Sequence, residues 1–323
     1  MPLRDDDGRQ TAGGRRQSVV AIVGPTAVGK TALSLRLAEA LGGEIVSADS
    51  RLVYRGLDIG TAKPTPEERA RIPHHLIDLL APDETLGLAQ YQALAYAAIE
   101  DIQTRGKLPI LVGGTGQYVR AVLEGWRVPE APPHPRLRAL LTAAMTGQIA
   151  LVPDPWRWLI ALDPEAAGWI DPRNVRRVVR ALEVTLTTGR PFSALRRRQP
   201  PPYAILQIGL TLPRAVLYAR ADARIDAMIA AGWPEEVRRL LAQGYDLRLP
   251  SMSSLGYREM ARCVLGKIDL AEAVRLIRRA TRRFIRHQAN WFRLSDPRIH
   301  WFDMQEERTE EIIQFVREWL ASV

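Results

Sequence analysis

The sequence predicts an α/β protein, in which a P-loop parallel sheet is flanked by helices and is joined by a helical insertion and a basic helical C-terminal part. Three observations support this fold class. Short apolar strands alternate with helical stretches in the first third of the chain. Glycine-rich turns follow those strands, and a proline-rich segment around residue 130 ends the alternating pattern.

The first predicted strand leads into a phosphate-binding motif. An apolar, β-branched run from Val19 continues into Gly24-x-x-x-x-Gly29-Lys30-Thr31, and the amphipathic stretch 32–41 predicts the helix that this motif requires. Glycines let successive backbone N–H groups point into one concavity, while Lys30 adds charge and Thr31 offers a hydroxyl to Mg²⁺. We therefore expect a di- or triphosphate here, as in nucleotide-binding and ATP-binding proteins. The expected cradle is Gly24, Pro25, Thr26, Ala27, Val28, Gly29, Lys30 and Thr31.

Two further strand ends are expected beside this motif. Residues 44–48 predict a strand that ends at Asp49, and residues 108–112 predict a strand that runs into Gly113-Gly114-Thr115-Gly116, with a helix between them at 89–105. Parallel α/β sheets bind ligands outside the carboxyl ends of their strands. The P-loop, Asp49 and Thr115 should therefore converge on one site.

The strand ends lack one acidic residue that an ordinary ATPase has. The strand at 108–112 ends in two glycines, without the carboxylate that holds Mg²⁺ in most P-loop nucleotidases. The strand-end carboxylate of the first half is Asp49. Spacing alone leaves three roles open for it: an indirect magnesium partner, a helix cap or a catalytic base.

The rest of the chain is predicted to be mainly helical. Helices are expected at 136–145, 173–188, 213–231, 234–243 and 271–293, and one strand at 203–210 should return to the sheet. Prolines between 128 and 135 mark a boundary. The predicted organisation is a disordered leader at 1–17, a first core segment at 18–128, a helical insertion at 129–200, and a return to the core with a basic helical region at 201–323.

Composition excludes several classes of protein. The sequence contains no run of 18 apolar residues, so it predicts no membrane-spanning helix. The polar leader lacks the apolar middle of a signal peptide. Cys263 is the only cysteine, which excludes an internal disulfide and a zinc cluster and fits a cytoplasmic protein. The net charge of +9 favours a polyanionic partner.

The basic residues concentrate near the C-terminal end. Six arginines fall within an arc of about 140° on the predicted helix at 271–293, with Ile277, Phe284 and Trp291 on the opposite side. With no opposite charge expected at i,i+3 or i,i+4, they should repel one another unless an anion binds. Two interpretations of this arginine face therefore stand: a solvated surface, or a contact surface for nucleic-acid phosphates. The six are Arg275, Arg278, Arg279, Arg282, Arg283 and Arg286.

Seven motifs in order carry a family resemblance. They read GPTAVGKTAL, IVSADSRLVYRGLDIGTAKP, HHLID, PILVGGTGQY, DP-x-x-A with RRVVRALEV-x-x-x-TGRP, LGYRE and TRRFIRHQANWFR. The chain thereby resembles the tRNA dimethylallyltransferases from about Val19 to about Trp301. The resemblance implies transfer of a dimethylallyl group from dimethylallyl diphosphate to the exocyclic N6 amine of adenosine 37, next to the anticodon, with release of diphosphate. The rival classes are a P-loop small-molecule or nucleotide kinase and a non-catalytic RNA-binding protein.

The resemblance also implies the roles of individual residues. Asp49 corresponds to the carboxylate that takes the proton of the attacking amine, and Thr31 to the Mg²⁺ ligand. The implied catalytic residues are Asp49, Lys30, Thr31, Arg220 and Arg224. The implied contacts to the tRNA anticodon stem-loop are Asp49, Ser50, Arg51, Leu52, Thr115, Arg138, Arg176, Arg177, Arg180 and Arg258. The segment 283–292 is also implied, with Arg283, Arg286 and Gln288, and we add the adjacent Arg282 of the arginine face. A monomer that binds no membrane is expected.

The chain departs from the family pattern at three places. Arg51 and Leu52 stand where the family has methionine and a base-contacting glutamine, so the expected adenine contact is missing. Gln117 replaces a usual leucine. Between Pro129 and Asp163 only scattered positions such as Arg138 match. Core packing is the expected role of Trp291, because it falls on the apolar side of the predicted helix.

Overall fold

The structure is a computed structural model that describes residues 17–127, 129, 131–151, 154–195 and 197–323. The predicted leader lies outside the described residues except for Gln17. The chain forms two compact units, one containing the residues up to Leu123 and from Pro201 onward, and the other comprising Glu124–Pro200.

The first unit is built on a parallel sheet. Within the described residues, six strands pair in parallel in the order β3-β2-β4-β1-β5-β6, which confirms the predicted fold class. The strands are β1 Ser18–Val23, β2 Gly43–Ser47, β3 His74–His75, β4 Leu108–Val112, β5 Ala204–Thr211 and β6 Ile299–Asp303. Two of these strands were not predicted from the sequence: β3, a polar two-residue strand, and β6.

Helices cover both faces of this sheet. The helices of the first unit are α1 Lys30–Leu41, α2 Pro66–Arg71, α3 Leu88–Thr104, α4 Gly116–Leu123, α10 Arg214–Ala230, α11 Trp233–Ala242, α12 Tyr257–Val264, α13 Leu270–Gln288 and α14 Thr309–Ser322. Alternate residues of β1 belong to different apolar clusters: Val20 and Ile22 pack with α1, α10 and α14, whereas Val19 and Ala21 pack with α3 and α4. Burial on both faces explains why β1 is apolar throughout.

The register brings the strand ends to one level of the sheet. Ile22 of β1 lies opposite Val112 of β4, and Val112 lies opposite Ser47 of β2. The turns that follow these three strands therefore begin side by side. This register carries the P-loop, the Asp49 loop and the Thr115 turn to the same edge.

Helix α13 differs from its prediction. It ends at Gln288 instead of residue 293, and the backbone N–H groups of Trp291 and Phe292 both donate to the Gln288 carbonyl, at 3.0 and 3.2 Å. Ile277 is buried as expected, but Phe284 is 39% exposed, so the predicted apolar side is only partly covered.

The second unit is helical. Its helices are α5 Pro135–Met145, α6 Pro155–Leu162, α7 Pro164–Trp169, α8 Val175–Thr188 and α9 Phe192–Leu195. Val178 and Leu182 of α8 are fully buried and pack with Leu141 of α5 and Leu159 of α6. In the part of the chain that the structure describes, no helix is long and apolar enough to cross a membrane.

Candidate active site

The turns after β2 and β4 contact each other at the sheet edge, as the sheet topology predicts. The Thr115 hydroxyl accepts a hydrogen bond from the Ser50 N–H at 3.1 Å, and the Thr115 N–H donates to the Ala48 carbonyl at 3.2 Å. The Asp49 loop is thereby fixed to the turn after β4. Gly113 permits this contact, because a Cβ there would lie 2.2 Å from the Ala48 carbonyl oxygen.

The P-loop is packed against the end of β5. Gly24 has a φ of +144°, and a Cβ on it would lie 2.6 Å from the Leu210 carbonyl oxygen. Glycine is therefore required here both by backbone conformation and by space. Gly29 has a φ of +108° and immediately precedes α1, so the loop ends where the positive end of the helix begins.

Lys30 and Arg224 carry positive charge into this site. The Lys30 Nζ donates to the carbonyl oxygens of Gly24 and Pro25 at 3.0 and 2.8 Å. Burial lowers the pKa of Lys30 from 10.5 to about 8; the Asp49 carboxylate opposes this shift and the Arg224 guanidinium adds to it. Burial also lowers the pKa of Arg224, again opposed by Asp49. The two cations and Asp49 therefore lie within electrostatic reach of one another.

Asp49 has one oxygen in use and one available. Its Oδ1 accepts a hydrogen bond from the Arg51 N–H at 2.9 Å, and among the described residues its Oδ2 has no hydrogen-bond partner. The next helix along the chain is α2, so Asp49 caps no helix and this alternative is excluded. The available oxygen can accept a proton from a group that enters the site.

Two stacked tyrosines, neither of them predicted from the sequence, lie near Asp49. The rings of Tyr91 and Tyr118 are 3.7 Å apart at 15°, and the Tyr91 hydroxyl donates to the Ser47 carbonyl at 3.0 Å. Burial raises the pKa of Tyr91 well above its usual value, with Tyr118 and Asp49 contributing. Burial likewise raises the pKa of Tyr118 to about 12. Tyr118, the last residue of PILVGGTGQY, was the available signal.

Other site residues are more exposed. Arg220 is exposed one turn before Arg224 on α10, and Thr31 is exposed in the first turn of α1. The Arg51 Nη1 donates to the Pro250 carbonyl at 3.0 Å. Ser50 and Leu52 are half-buried, whereas Gln117 and Arg258 are exposed. Within the described ranges, no three His, Cys, Asp or Glu side chains form a metal-binding group.

The arginine face of α13 has acidic neighbours, so the expectation that it lacks opposite charge was wrong. Arg275 pairs with Glu272, three residues earlier, at 2.7 Å. Arg278 pairs with Asp226 of α10 at 2.6 Å, and Arg282 pairs with Asp222 of the same helix. A helical wheel of α13 alone cannot show the acids of α10, whereas Glu272 lies on α13 itself and could have been expected from its spacing to Arg275.

Part of this face remains available to an anion. Arg279, Arg283 and Arg286 form no ion pair with any described residue, although the Arg286 Nη1 donates to the Tyr218 hydroxyl at 3.3 Å. The face lines an open groove of about 400 Å³. The groove is formed by Ala271, Val274, Arg275, Arg278, Arg279, Arg282 and Arg286.

Two residues at the end of α13 are placed inside the fold. Gln288 is 4% exposed, which leaves little surface for the implied RNA contact; its Oε1 accepts from the Thr26 N–H at 2.8 Å. Trp291 packs in the cluster beneath α3 and α4, and a Cβ on Gly116 would lie 2.2 Å from its ring. The core-packing interpretation of Trp291 is confirmed.

The arginines of the second unit fall into two groups. Arg138 forms two hydrogen bonds to the fully buried Glu183, at 2.7 and 2.8 Å, and the Arg180 Nη1 donates to the same carboxylate at 2.7 Å. Burial raises the pKa of Glu183, but these arginines and the His134 N–H outweigh it and hold the pKa below its usual value. Arg176 and Arg177 are exposed.

Comparisons with known proteins agree with this geometry. The chain matches the IPP transferase family over residues 52–295 and the isopentenyl transferase family over residues 17–78. It is 58% identical over 277 residues to a tRNA dimethylallyltransferase of Roseiflexus sp. (strain RS-1), covering 85% of this chain and 90% of that protein. It is 51% identical over 294 residues to a tRNA dimethylallyltransferase of Thermomicrobium roseum, covering 90% and 88%.

Solved structures give the same assignment. A tRNA isopentenylpyrophosphate transferase from Bacillus halodurans superposes with a TM-score of 0.71 at 40% identity, covering 95% of this chain and 98% of that one. A eukaryotic dimethylallyltransferase, solved acting on tRNA, superposes with a TM-score of 0.82 at 25% identity, covering 95% and 80%. The chain therefore belongs to the IPP transferase family.

Proposed function

We propose that the protein transfers a dimethylallyl group from dimethylallyl diphosphate to the N6 amine of adenosine 37 in tRNA and releases diphosphate. One observation carries the proposal: two cations, Lys30 and Arg224, and one carboxylate, Asp49, lie together where the P-loop meets the turns after β2 and β4. Relatives at 51–58% identity bear the name tRNA dimethylallyltransferase.

The cations suit a departing diphosphate. Diphosphate leaves an allylic carbon readily only when its growing negative charge is neutralised, and preorganised cations and backbone N–H groups do this without reorganising. Lys30 and Arg224 supply the charge, and the loop before α1 supplies the amides. Arg220, exposed one turn away, extends the same face of α10.

A magnesium ion fits this arrangement with few protein ligands. Mg²⁺ usually keeps several waters and takes the remaining ligands from a carboxylate or hydroxyl and from substrate phosphates. The Thr31 hydroxyl, exposed in the first turn of α1, is the candidate protein ligand. When bound, the ion would neutralise further charge on the leaving diphosphate.

Asp49 suits the attacking amine. An aromatic amine becomes nucleophilic enough when it loses a proton as the C–N bond forms, and a carboxylate at hydrogen-bond distance can accept that proton. The available Oδ2 of Asp49 is such an acceptor. The proton moves from N6 to Asp49, while the allylic C–O bond breaks and its electron pair leaves with diphosphate.

Transfer RNA suits the exposed arginines. The target base must leave the anticodon stack to reach a site at the sheet edge, and the RNA backbone must be held while it does so. Arg279, Arg283 and Arg286 are exposed on α13 and form no ion pair with the residues that the structure describes. We propose that the enzyme acts as a monomer in the cytoplasm, where its single cysteine would stay reduced.

A label-transfer assay tests the proposal. Purified protein is incubated with radiolabelled dimethylallyl diphosphate, Mg²⁺ and an unmodified tRNA transcript carrying adenosine at position 37. Label is expected in this RNA and not in a matched transcript with guanosine at position 37. ATP should at most compete with dimethylallyl diphosphate for the P-loop, and we expect no ATP hydrolysis during prenyl transfer. Formation of ADP from ATP without any label in RNA would instead establish the kinase alternative.

A further inference from the structure

We propose that Gln288 is a positioning residue of the phosphate cradle. From the C-terminal end of α13, its side-chain amide holds the Thr26 part of the P-loop against the turn after β4. The inference rests on the proposed binding of a diphosphate by this loop. It gives Gln288 a role in donor binding in place of the RNA contact expected from its motif.

The Gln288 side-chain amide forms hydrogen bonds to two different loops. Its Oε1 accepts from the Thr26 N–H at 2.8 Å, and its Nε2 donates to the Gly114 carbonyl at 3.2 Å. The three residues come from distant parts of the sequence, and the Gln288 side chain is buried. One side chain therefore connects the loop after β1 to the turn after β4 where a ligand would bind.

The site requires an amide in particular. A Cβ on Gly114 would lie 2.3 Å from the Gln288 Nε2 and 3.8 Å from the Lys30 Nζ, so the amide lies close to the P-loop lysine. A glutamine offers one acceptor and one donor at its tip. Glutamate would lose the donor and add negative charge beside Lys30, and methionine would lose both hydrogen bonds.

The backbone of Gln288 is itself held in place. Its carbonyl accepts from the N–H groups of Trp291 and Phe292, and the Arg120 Nη2 donates to the Trp291 carbonyl at 2.6 Å. Phe292 is buried in the same cluster as Tyr118. Because the helix end is fixed, losing the side-chain amide should release the loops and leave α13 in place.

The consequence is a loop whose shape is set before the ligand arrives. The Thr26 N–H is occupied by Gln288, so an anion in the loop must be bound by other loop amides. Fixing a loop in its binding conformation reduces the ordering cost of association. Losing this support should therefore weaken diphosphate binding while tRNA binding is retained.

Calorimetric titration with inorganic diphosphate and Mg²⁺ tests the inference on wild type, Gln288→Met and Gln288→Glu. We expect roughly tenfold weaker binding for Gln288→Met, from the loss of two hydrogen bonds, and still weaker binding for Gln288→Glu. The KM for dimethylallyl diphosphate should rise more than kcat falls. tRNA affinity should change less than about twofold, because phosphate contacts dominate it.

Gln103→Met is the matched control. Gln103 is also buried near a helix end, but its Nε2 donates to the Ser18 carbonyl at the opposite end of β1. This variant should bind diphosphate as wild type does. Wild-type binding by Gln288→Met would overturn the inference, as would an equal loss of tRNA affinity. Absence of diphosphate binding in wild type would instead count against the proposed function.

Discussion

The cations of the strand-end site, which is formed by the P-loop, Asp49 and Arg224, and the arginines of α13 differ in their surroundings. Lys30 and Arg224 are partly buried beside a single carboxylate, and burial lowers the pKa of each. The arginines of α13 line an open groove, where Arg278 and Arg282 face acids of α10. Water screens charges in the groove far more than charges in the site. The first region is thus suited to bond-making chemistry, and the second to holding a polyanion.

The second unit contains a third arrangement. Arg138 and Arg180 bind the fully buried Glu183, so much of their hydrogen-bonding capacity serves this unit's own fold. Arginines therefore have three kinds of acidic neighbour in this chain: Asp49 in the strand-end site, the acids of α10 beside the open groove, and the fully buried Glu183 in the second unit.

The largest expected effect is on chemistry at Asp49. Asp49→Ala should lower the single-turnover rate by ~10²–10⁴-fold, the usual cost of removing a positioned base, and leave tRNA affinity nearly unchanged. Asp83→Ala, which removes an exposed carboxylate from the loop before α3, is the control and should react normally. An Asp49→Ala rate within tenfold of wild type would exclude Asp49 as the base.

The next effect concerns the stability of the second unit. Glu183→Gln should lower its free energy of unfolding by about 3 kcal/mol, because the buried partner of two arginines is lost. Asp222→Asn should cost less than about 1 kcal/mol, since the side chain of its partner Arg282 is 45% exposed and water screens the pair. Urea denaturation measures both. Equal costs would show that the two arrangements do not differ.

The same carboxylate gives a pH dependence with a definite sign. The pKa of Glu183 is lower in the fold than in the unfolded chain, so its contribution is fully present above the unfolded value. It is lost as the pH falls through the folded pKa. Glu183→Gln should therefore flatten the acid limb of the stability profile, and an unchanged limb would contradict the assignment.

The Lys30 pKa predicts a pH dependence of ligand binding. With a folded pKa of about 8, Lys30 loses its charge as the pH rises above that value. Diphosphate affinity should then fall roughly tenfold per pH unit well above pH 8, beyond any change due to the ligand's own titration. Lys30→Arg stays charged and reports the ligand's contribution alone. Parallel profiles for the two proteins would show that Lys30 is not the titrating group.

Sequence and structure agree best where topology fixes position. Asp49 and Thr115 were expected together because parallel strands end at one edge, and the register of β1, β2 and β4 provides this. Gln288 and Arg282 could not be placed in this way. Their surroundings depend on the P-loop and on α10, which are distant in the chain, and a helical pattern carries no information about them. Tyr91 lacked a motif of its own and was missed for the same reason.

The smallest effect separates paired from unpaired arginines on α13. Replacing Arg279 and Arg286 by glutamine should reduce the salt-dependence slope of tRNA binding by about 1.4–1.8, the sum of two phosphate contacts. The matched double variant of Arg278 and Arg282 should change the slope by less than half as much, because acids of α10 already engage both. Filter binding between low and moderate salt measures the slopes. Equal changes would mean that these ion pairs open when RNA binds.

The central claim is that one strand-end site both releases diphosphate and accepts the proton of the attacking amine. The most direct measurement is a single turnover with enzyme in excess over tRNA, in which released diphosphate and N6-dimethylallyl adenosine are quantified together. The account predicts equal amounts of the two products, formed at the same rate, with the modified nucleoside mapping to position 37. Diphosphate release without the modified nucleoside, or the nucleoside at another position, would contradict it.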